Sequence, residues 1–223
     1  MSYDIYFCRN EPTEFQFGEV VSWLHRYPHF KGEGESQLIY QNQDTGVYFL
    51  LEWSEPTQGQ ESSIPPGVYD TGLSLSLNYA RPTFFAFETM PIVEALAAHF
   101  GFTMFDPQRE PGVGFFSSEE LVESWTKSNK WAVESLAKDN DAFFRLSPDT
   151  STGFWTYMNG DYHSLKKELE GPDVFVPRSA PPTFRWMKIG GNKNEQEASS
   201  NWHHPACHAG SASNRGPARR QIN

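Results

Sequence analysis

Apolar and polar residues alternate most regularly along Leu73-Ser74-Leu75-Ser76-Leu77-Asn78-Tyr79. That two-residue period puts three leucines and Tyr79 on one face of a strand, with Ser74, Ser76 and Asn78 on the other. A polar second face predicts an antiparallel sheet with one side wet or lightly covered. Residues 3–8, 37–41, 47–53 and 102–105 read as further strands, and 42–46 carries the turn residues of a hairpin between two of them. Arg81-Pro82 interrupts the ladder, and residues 84–87 continue apolar.

The helical period takes over elsewhere. Thr13-Glu14-Phe15-Gln16 has the spacing of a capping box, with Phe17, Val20, Val21 and Leu24 behind it and Pro28 closing the helix near Arg26. Pro91 suits the first turn of a second helix, where its missing N–H costs nothing. Ile92, Val93, Leu96, Ala97 and Phe100 form its stripe, and Gly101 stands where a left-handed C-cap is wanted. Ser117-Ser118-Glu119-Glu120 is another capping box, opening a helix of some twenty residues lined by Leu121, Val122, Trp125, Ala132, Val133 and Leu136. Residues 161–169 predict a shorter helix, and 173–177 and 183–189 two short strands.

Successive strands joined by turns must run antiparallel, whereas a doubly wound parallel sheet needs a helix between nearly every pair. The expectation is an α+β domain over residues 1–189, its helices packed on one face of a mainly antiparallel sheet. Beyond Gly190 the apolar period vanishes, and residues 190–223 read as a flexible basic tail.

Charge divides at nearly the same place. The whole chain carries −10; residues 188–223 hold five bases against two acids, so +3, which leaves −13 on the body. So acidic a body repels nucleic-acid phosphate and favours cationic partners. No apolar run approaches the length needed to span a bilayer, and the first residues lack a secretory pattern, so a cytoplasmic protein is expected. The two cysteines, Cys8 and Cys207, do not form a disulfide framework, and Cys8 reads as a buried small hydrophobe.

Candidate chemistry is sparse. His203, His204, Cys207 and His208 are residue types that zinc accepts, but no second ligand pair accompanies them, and the segment reads as chain without a functional metal. Neither a nucleophile elbow nor a phosphate loop occurs. Asp4, Glu52, Glu88, Asp106 and Asp173 lie at or in apolar segments; acids at such positions are usually solvated, and a converging pair with Arg81 would be the alternative, hydrolase-like reading. Arg81 itself suits a structural salt bridge to Glu88 or Asp106, or contact with a ligand anion. Seven tryptophans are too many to bury completely, and Trp53, Trp131 and Trp155 are the candidates for an exposed protein-binding patch.

Tyr3-Asp4-Ile5-Tyr6-Phe7, the stretch from Leu77-Asn78-Tyr79-Ala80-Arg81-Pro82 to Phe85, Phe105-Asp106-Pro107-Gln108 and Asp173-Val174-Phe175-Val176-Pro177 together resemble a little-characterised group of bacterial proteins. Some of that group look like immunity proteins of contact-delivered toxins. The resemblance implies a cytoplasmic α+β protein without a cofactor that neutralises a basic toxin domain by binding it. It also implies an aliphatic final strand, in whose place this chain turns at Gly190 into the tail, as a frameshifted or degenerate C-terminus would.

Overall fold

A computed structural model describes residues 1–13, 15–32, 35–56, 64–138 and 147–169. Among them, seven strands form one sheet in the order β2-β3-β4-β5-β1-β6-β7, every neighbouring pair antiparallel. The chain opens with central strand β1 (Ser2–Arg9), and α1 (Phe17–Leu24) carries it to the edge strand β2 (Phe30–Gly32). Turns then bring β3 (Gln37–Gln41), β4 (Tyr48–Trp53) and β5 (Tyr69–Asn78) back beside β1. Helix α2 (Phe84–Phe100) crosses to β6 (Thr103–Phe105) on the other side of β1, followed by β7 (Val113–Gly114) and α3 (Ser118–Lys138). Helix α4 (Pro148–Thr156) runs through one π turn, Tyr157–Asp161, into α5 (Tyr162–Leu169). The predicted α+β class with a mainly antiparallel sheet is what forms. The predicted strands at 173–177 and 183–189, and the tail from 190, lie outside the described residues. Among the described residues no helix is long and apolar enough to cross a membrane.

Alternation decides which face is covered. Tyr3, Ile5 and Phe7 of β1, Leu73, Leu75 and Leu77 of β5, and Phe49 and Leu51 of β4 are buried, and they join Val20 and Leu24 of α1, nine residues of α2, and Leu121 and Trp125 of α3. The opposite face has no fully buried member between Ser2, Asp4 and Tyr6 of β1, Tyr48, Leu50 and Glu52 of β4, and Ser74 and Ser76 of β5. Serines at alternate positions of a central strand produce this: they supply too little apolar surface to hold a second helical layer.

One carboxylate ties the layers together. Asp106, just past β6, is 0 % exposed, where a solvated acid was expected. Its Oδ2 accepts the Tyr3 hydroxyl from β1 and the Ser124 hydroxyl from α3 at 2.7 Å, and its Oδ1 accepts the Gln108 backbone N–H at 2.8 Å. A buried acid persists only when its lone pairs are met in this way.

Several local expectations needed correction. Thr13 does not cap: its hydroxyl donates to the Glu11 carbonyl, and α1 starts at Phe17 after an uncapped Gln16, because burial of Phe17, Val20, Trp23 and Leu24 sets the helix phase. Residues 84–87 open α2 and do not extend a strand, so Pro91 lies in the helix interior. An interior proline costs about 3 kcal/mol in a bare helix, and the burial of nine side chains on either side of it outweighs that. Strand β2 and helix α4 carry too short an apolar period to have been anticipated. The capping box of α3 forms as predicted: Glu120 N–H donates to Ser117 Oγ at 3.2 Å, and Ser117 N–H returns to the Glu120 carboxylate at 2.9 Å. Gly101 closes α2 at φ 66°, as its placement implied.

Two predictions follow from the buried tyrosines. Tyr3→Phe and Ser124→Ala each strip a donor from Asp106 and are expected to cost about 1–3 kcal/mol in a denaturant melt; wild-type stability in both would show that the carboxylate does not link the layers. Burial, then the adjacent Asp106, pushes the Tyr3 phenol above its ordinary range, and burial, then Glu88, does the same to Tyr40. A raised phenol stabilises the fold while the unfolded chain keeps its protons, so stability is expected to fall above about pH 10, where the unfolded tyrosines ionise. Replacing Tyr3 and Tyr40 together by Phe should flatten that decline; an unchanged slope between pH 10 and 11 would contradict it.

Candidate functional site

The ends of three core strands frame a cleft of about 570 Å³. Strand β1 brings Arg9 to its wall, β4 brings Trp53, and β5 starts there with Tyr69, Asp70 and Thr71; the segment after β1 adds Glu11 and Phe15, and the segment after β4 adds Glu55. Register creates the meeting, since Arg9 pairs with Tyr69 and Trp53 with Leu73. Gly72 lets the strands close: at φ 73° its backbone presses on Ser54, and an added Cβ would stand 1.8 Å from the Ser54 carbonyl oxygen. No residue with a side chain fits that position.

The cleft is aromatic within and acidic at its mouth. Trp53 stacks on Phe17 with centroids 6.2 Å apart and gives its indole N–H to the Thr71 carbonyl at 3.1 Å, so its ring is fixed. The Arg9 guanidinium lies over the Phe15 and Phe102 rings, at 5.7 and 5.4 Å from their centroids. Tyr69 is 49 % exposed, and Glu11, Glu55 and Asp70 are exposed around it. Three carboxylates against one guanidinium leave the lining with a net charge of −2. Cys8, next to Arg9, is buried and does not line the cleft; burial, followed by the charge of Asp70, pushes its thiol up to about 12, so it is inert.

The other sequence candidates lie elsewhere. Trp155, on α4, donates its indole N–H to Glu88 Oε2 at 2.8 Å and stacks on Phe84. The other oxygen of Glu88 accepts the Tyr40 hydroxyl and the Asn42 amide, both at 2.7 Å, so this acid pins α4 and the β3–β4 turn to α2. Trp155 is therefore a structural anchor. Trp131 points out from α3 at 65 % exposure. The three tryptophans do not form one patch, and Trp53 alone reaches the cleft.

Arg81 departs from its predicted salt bridge. Its guanidinium donates to the Tyr48 hydroxyl and, at 3.4 Å, to the Ala80 carbonyl. Ion pairs join Arg109 to Glu120 and His163 to Asp44, and neither involves Arg81. Glu88 and Asp106 are already engaged by hydroxyl, amide and indole donors, which explains why neither turns to Arg81. Asp4 accepts the Ser76 and Ser2 hydroxyls on the open face, and Glu52 accepts the Gln37 amide at 2.7 Å. Among the described residues no group of three or more His, Cys, Asp or Glu side chains could hold a metal ion. His203, His204, Cys207 and His208, and the acid Asp173, lie outside the described residues. The cleft went unseen in the sequence because Arg9, Trp53 and Tyr69 are far apart in the chain and only strand register unites them.

No protein-family model, curated protein or solved structure matches this chain.

The two aromatic settings predict opposite costs of truncation. Trp53→Ala removes a stacked, hydrogen-bonded ring and is expected to destabilise by about 2 kcal/mol or more. Trp131→Ala, on an exposed helix surface, should stay within about 0.5 kcal/mol of wild type. Thermal melts of both variants decide it, and equal losses would mean that Trp53 is not held as described.

Proposed function

We propose that this chain is a non-enzymatic binding protein that docks a basic protein surface in the cleft at the end of its sheet. The observation that carries the reading is the cleft itself: aromatic walls at Trp53, Phe15 and Tyr69, the first held by stacking and a hydrogen bond, beneath the carboxylates of Glu11, Glu55 and Asp70. Basic side chains of a partner would lay their methylene stems on the rings and their cationic heads among the acids. Ring faces attract such cations, and fixed rings lose little entropy when covered. The charge of −10 on the whole chain supports the reading at longer range, because it speeds encounter with a cationic partner and repels an anionic one. A basic toxin domain neutralised by an immunity-type protein is a partner of this kind, and the sequence resemblance to such proteins points the same way. In that role the protein acts in the cytoplasm by occupying the toxin's basic surface, and it needs no cofactor.

The experiment uses a synthetic arginine-rich peptide and a glutamate-rich peptide of equal length, titrated against the full chain by calorimetry. The arginine-rich peptide is expected to bind, more tightly at low salt because screening sets in over about 10 Å at 0.1 M. Reversing two rim charges together, Glu55→Lys and Asp70→Lys, should weaken it at least tenfold, whereas Glu134→Lys on the exposed side of α3 should not. Equal effects at both places, or equal affinity for both peptides, would sink the proposal.

A further inference from the structure

We infer that the corner where β5 leads into α2 is a second binding site, one that takes a carboxylate on Arg81, Tyr48 and Asn78. It is separate from the cleft, and its donors outnumber the acceptors that meet them. A guanidinium carries five N–H donors. In Arg81 one is used by the Tyr48 hydroxyl and one, at 3.4 Å, by the Ala80 carbonyl. Acids outnumber bases by 28 to 18 in this chain, yet none of the described ones comes within ion-pair distance of Arg81. The Tyr48 hydroxyl accepts from Arg81 and also, at 3.2 Å, from the Asn78 amide nitrogen. With both lone pairs taken, its own proton must be given elsewhere, and among the described residues it meets no acceptor. The second amide hydrogen of Asn78 is in the same position, on an exposed side chain. Against the single amide oxygen of Asn78, the corner therefore presents an excess of donors. An acceptor-only group complements it, and a planar carboxylate matches the fork of a guanidinium.

The backbone beneath this corner is held under strain. Ala80 sits at φ 57°, a left-handed conformation that a residue with a side chain keeps only where the surroundings enforce it. The enforcing group is Asn129 of α3, a buried amide: its oxygen accepts the Ala80 N–H at 2.7 Å, and its nitrogen donates to the Arg81 carbonyl at 2.9 Å. The Arg81 main chain is thus fixed from both sides by a third element, and its side chain lies against the Tyr48 ring, 5.4 Å from the centroid. Arg81 and Tyr48 are half-buried and Asn78 is exposed, so the donors are partly stripped of water yet within reach of a ligand. Charge selects the class of anion. In a chain of net charge −10, a monovalent carboxylate is repelled about half as strongly as a doubly charged phosphate.

The phenol responds to the same donors. Burial pushes Tyr48 up, but the hydrogen bonds from Arg81 and Asn78 and the Arg81 charge outweigh it and leave the group below its ordinary range. A bound carboxylate would draw on those donors and add a negative charge, so occupancy should raise the Tyr48 pKa. The test titrates the full chain with acetate, against chloride at equal ionic strength and inorganic phosphate in parallel, while following side-chain NMR signals. Saturable shifts are expected at Arg81, Tyr48 and Asn78 with acetate, together with a rise in the Tyr48 pKa. Arg81→Gln should weaken acetate binding at least tenfold with the fold retained, since the Asn129 clamp grips only backbone atoms. Asn78→Ala, at an exposed position, should weaken it severalfold and serves if the arginine variant does not fold. Shifts equal to those with chloride, tighter binding of phosphate, or acetate binding unchanged in both variants would each overturn the assignment.

Discussion

A carboxylate sealed from water is the constraint on which the rest of this architecture depends. Removing Asp106 from solvent costs several kcal/mol unless donors replace its hydration. The donors come from the first strand, the third helix and the turn that follows β6. Because Tyr3 must meet Ser124 across that oxygen, the position of α3 over the central strand is fixed, and Trp125 next to Ser124 is driven into the interior. With α3 placed, Asn129 one turn further on arrives at the Ala80–Arg81 peptide. The strained corner beside Tyr48 is in this sense a consequence of the buried acid.

Glu88 does for the outer helices what Asp106 does for the inner ones. Its two oxygens collect a phenol and an amide from the end of β3 and its turn, and an indole from α4. Helix α5 adds His163, whose ring meets Asp44 in the β3–β4 turn at 2.8 Å. All of this polar joinery serves the helical side of the sheet. The surfaces left for recognition are at the strand ends and on the uncovered face, where Ser74, Ser76, Asp4 and Glu52 give no apolar ground for a further layer.

The chemistry of the sites was only partly legible in the sequence. Trp53 and Arg81 could be singled out as residues out of the ordinary, since a tryptophan or an arginine beside a proline stands out by type alone. Their partners could not. Tyr48 looks like any strand tyrosine until β5 turns back and places Asn78 and Arg81 on its hydroxyl. Acids gave the opposite lesson: Asp106 and Glu88 read as ordinary solvated carboxylates, and full burial of the first and partial burial of the second, which spacing in the chain does not report, make them the centres of two networks.

What the chain alone determined was local and periodic. The leucine–serine alternation of β5 set both its strand character and its one covered face, Ser117 and Glu120 closed their capping box within four residues, and Gly101 ended α2. Each of these rests on groups a few residues apart, so their geometry follows from covalent spacing. Where interactions span dozens of residues, tertiary structure overruled the local signal. Pro91 lies inside a helix because buried side chains on both sides of it outweigh one lost hydrogen bond, and Thr13 fails to cap because the core fixes the phase of α1 from Phe17 onward. The cleft and the arginine corner belong to that second class: both exist only once strand register and the Asp106 knot have brought distant side chains together.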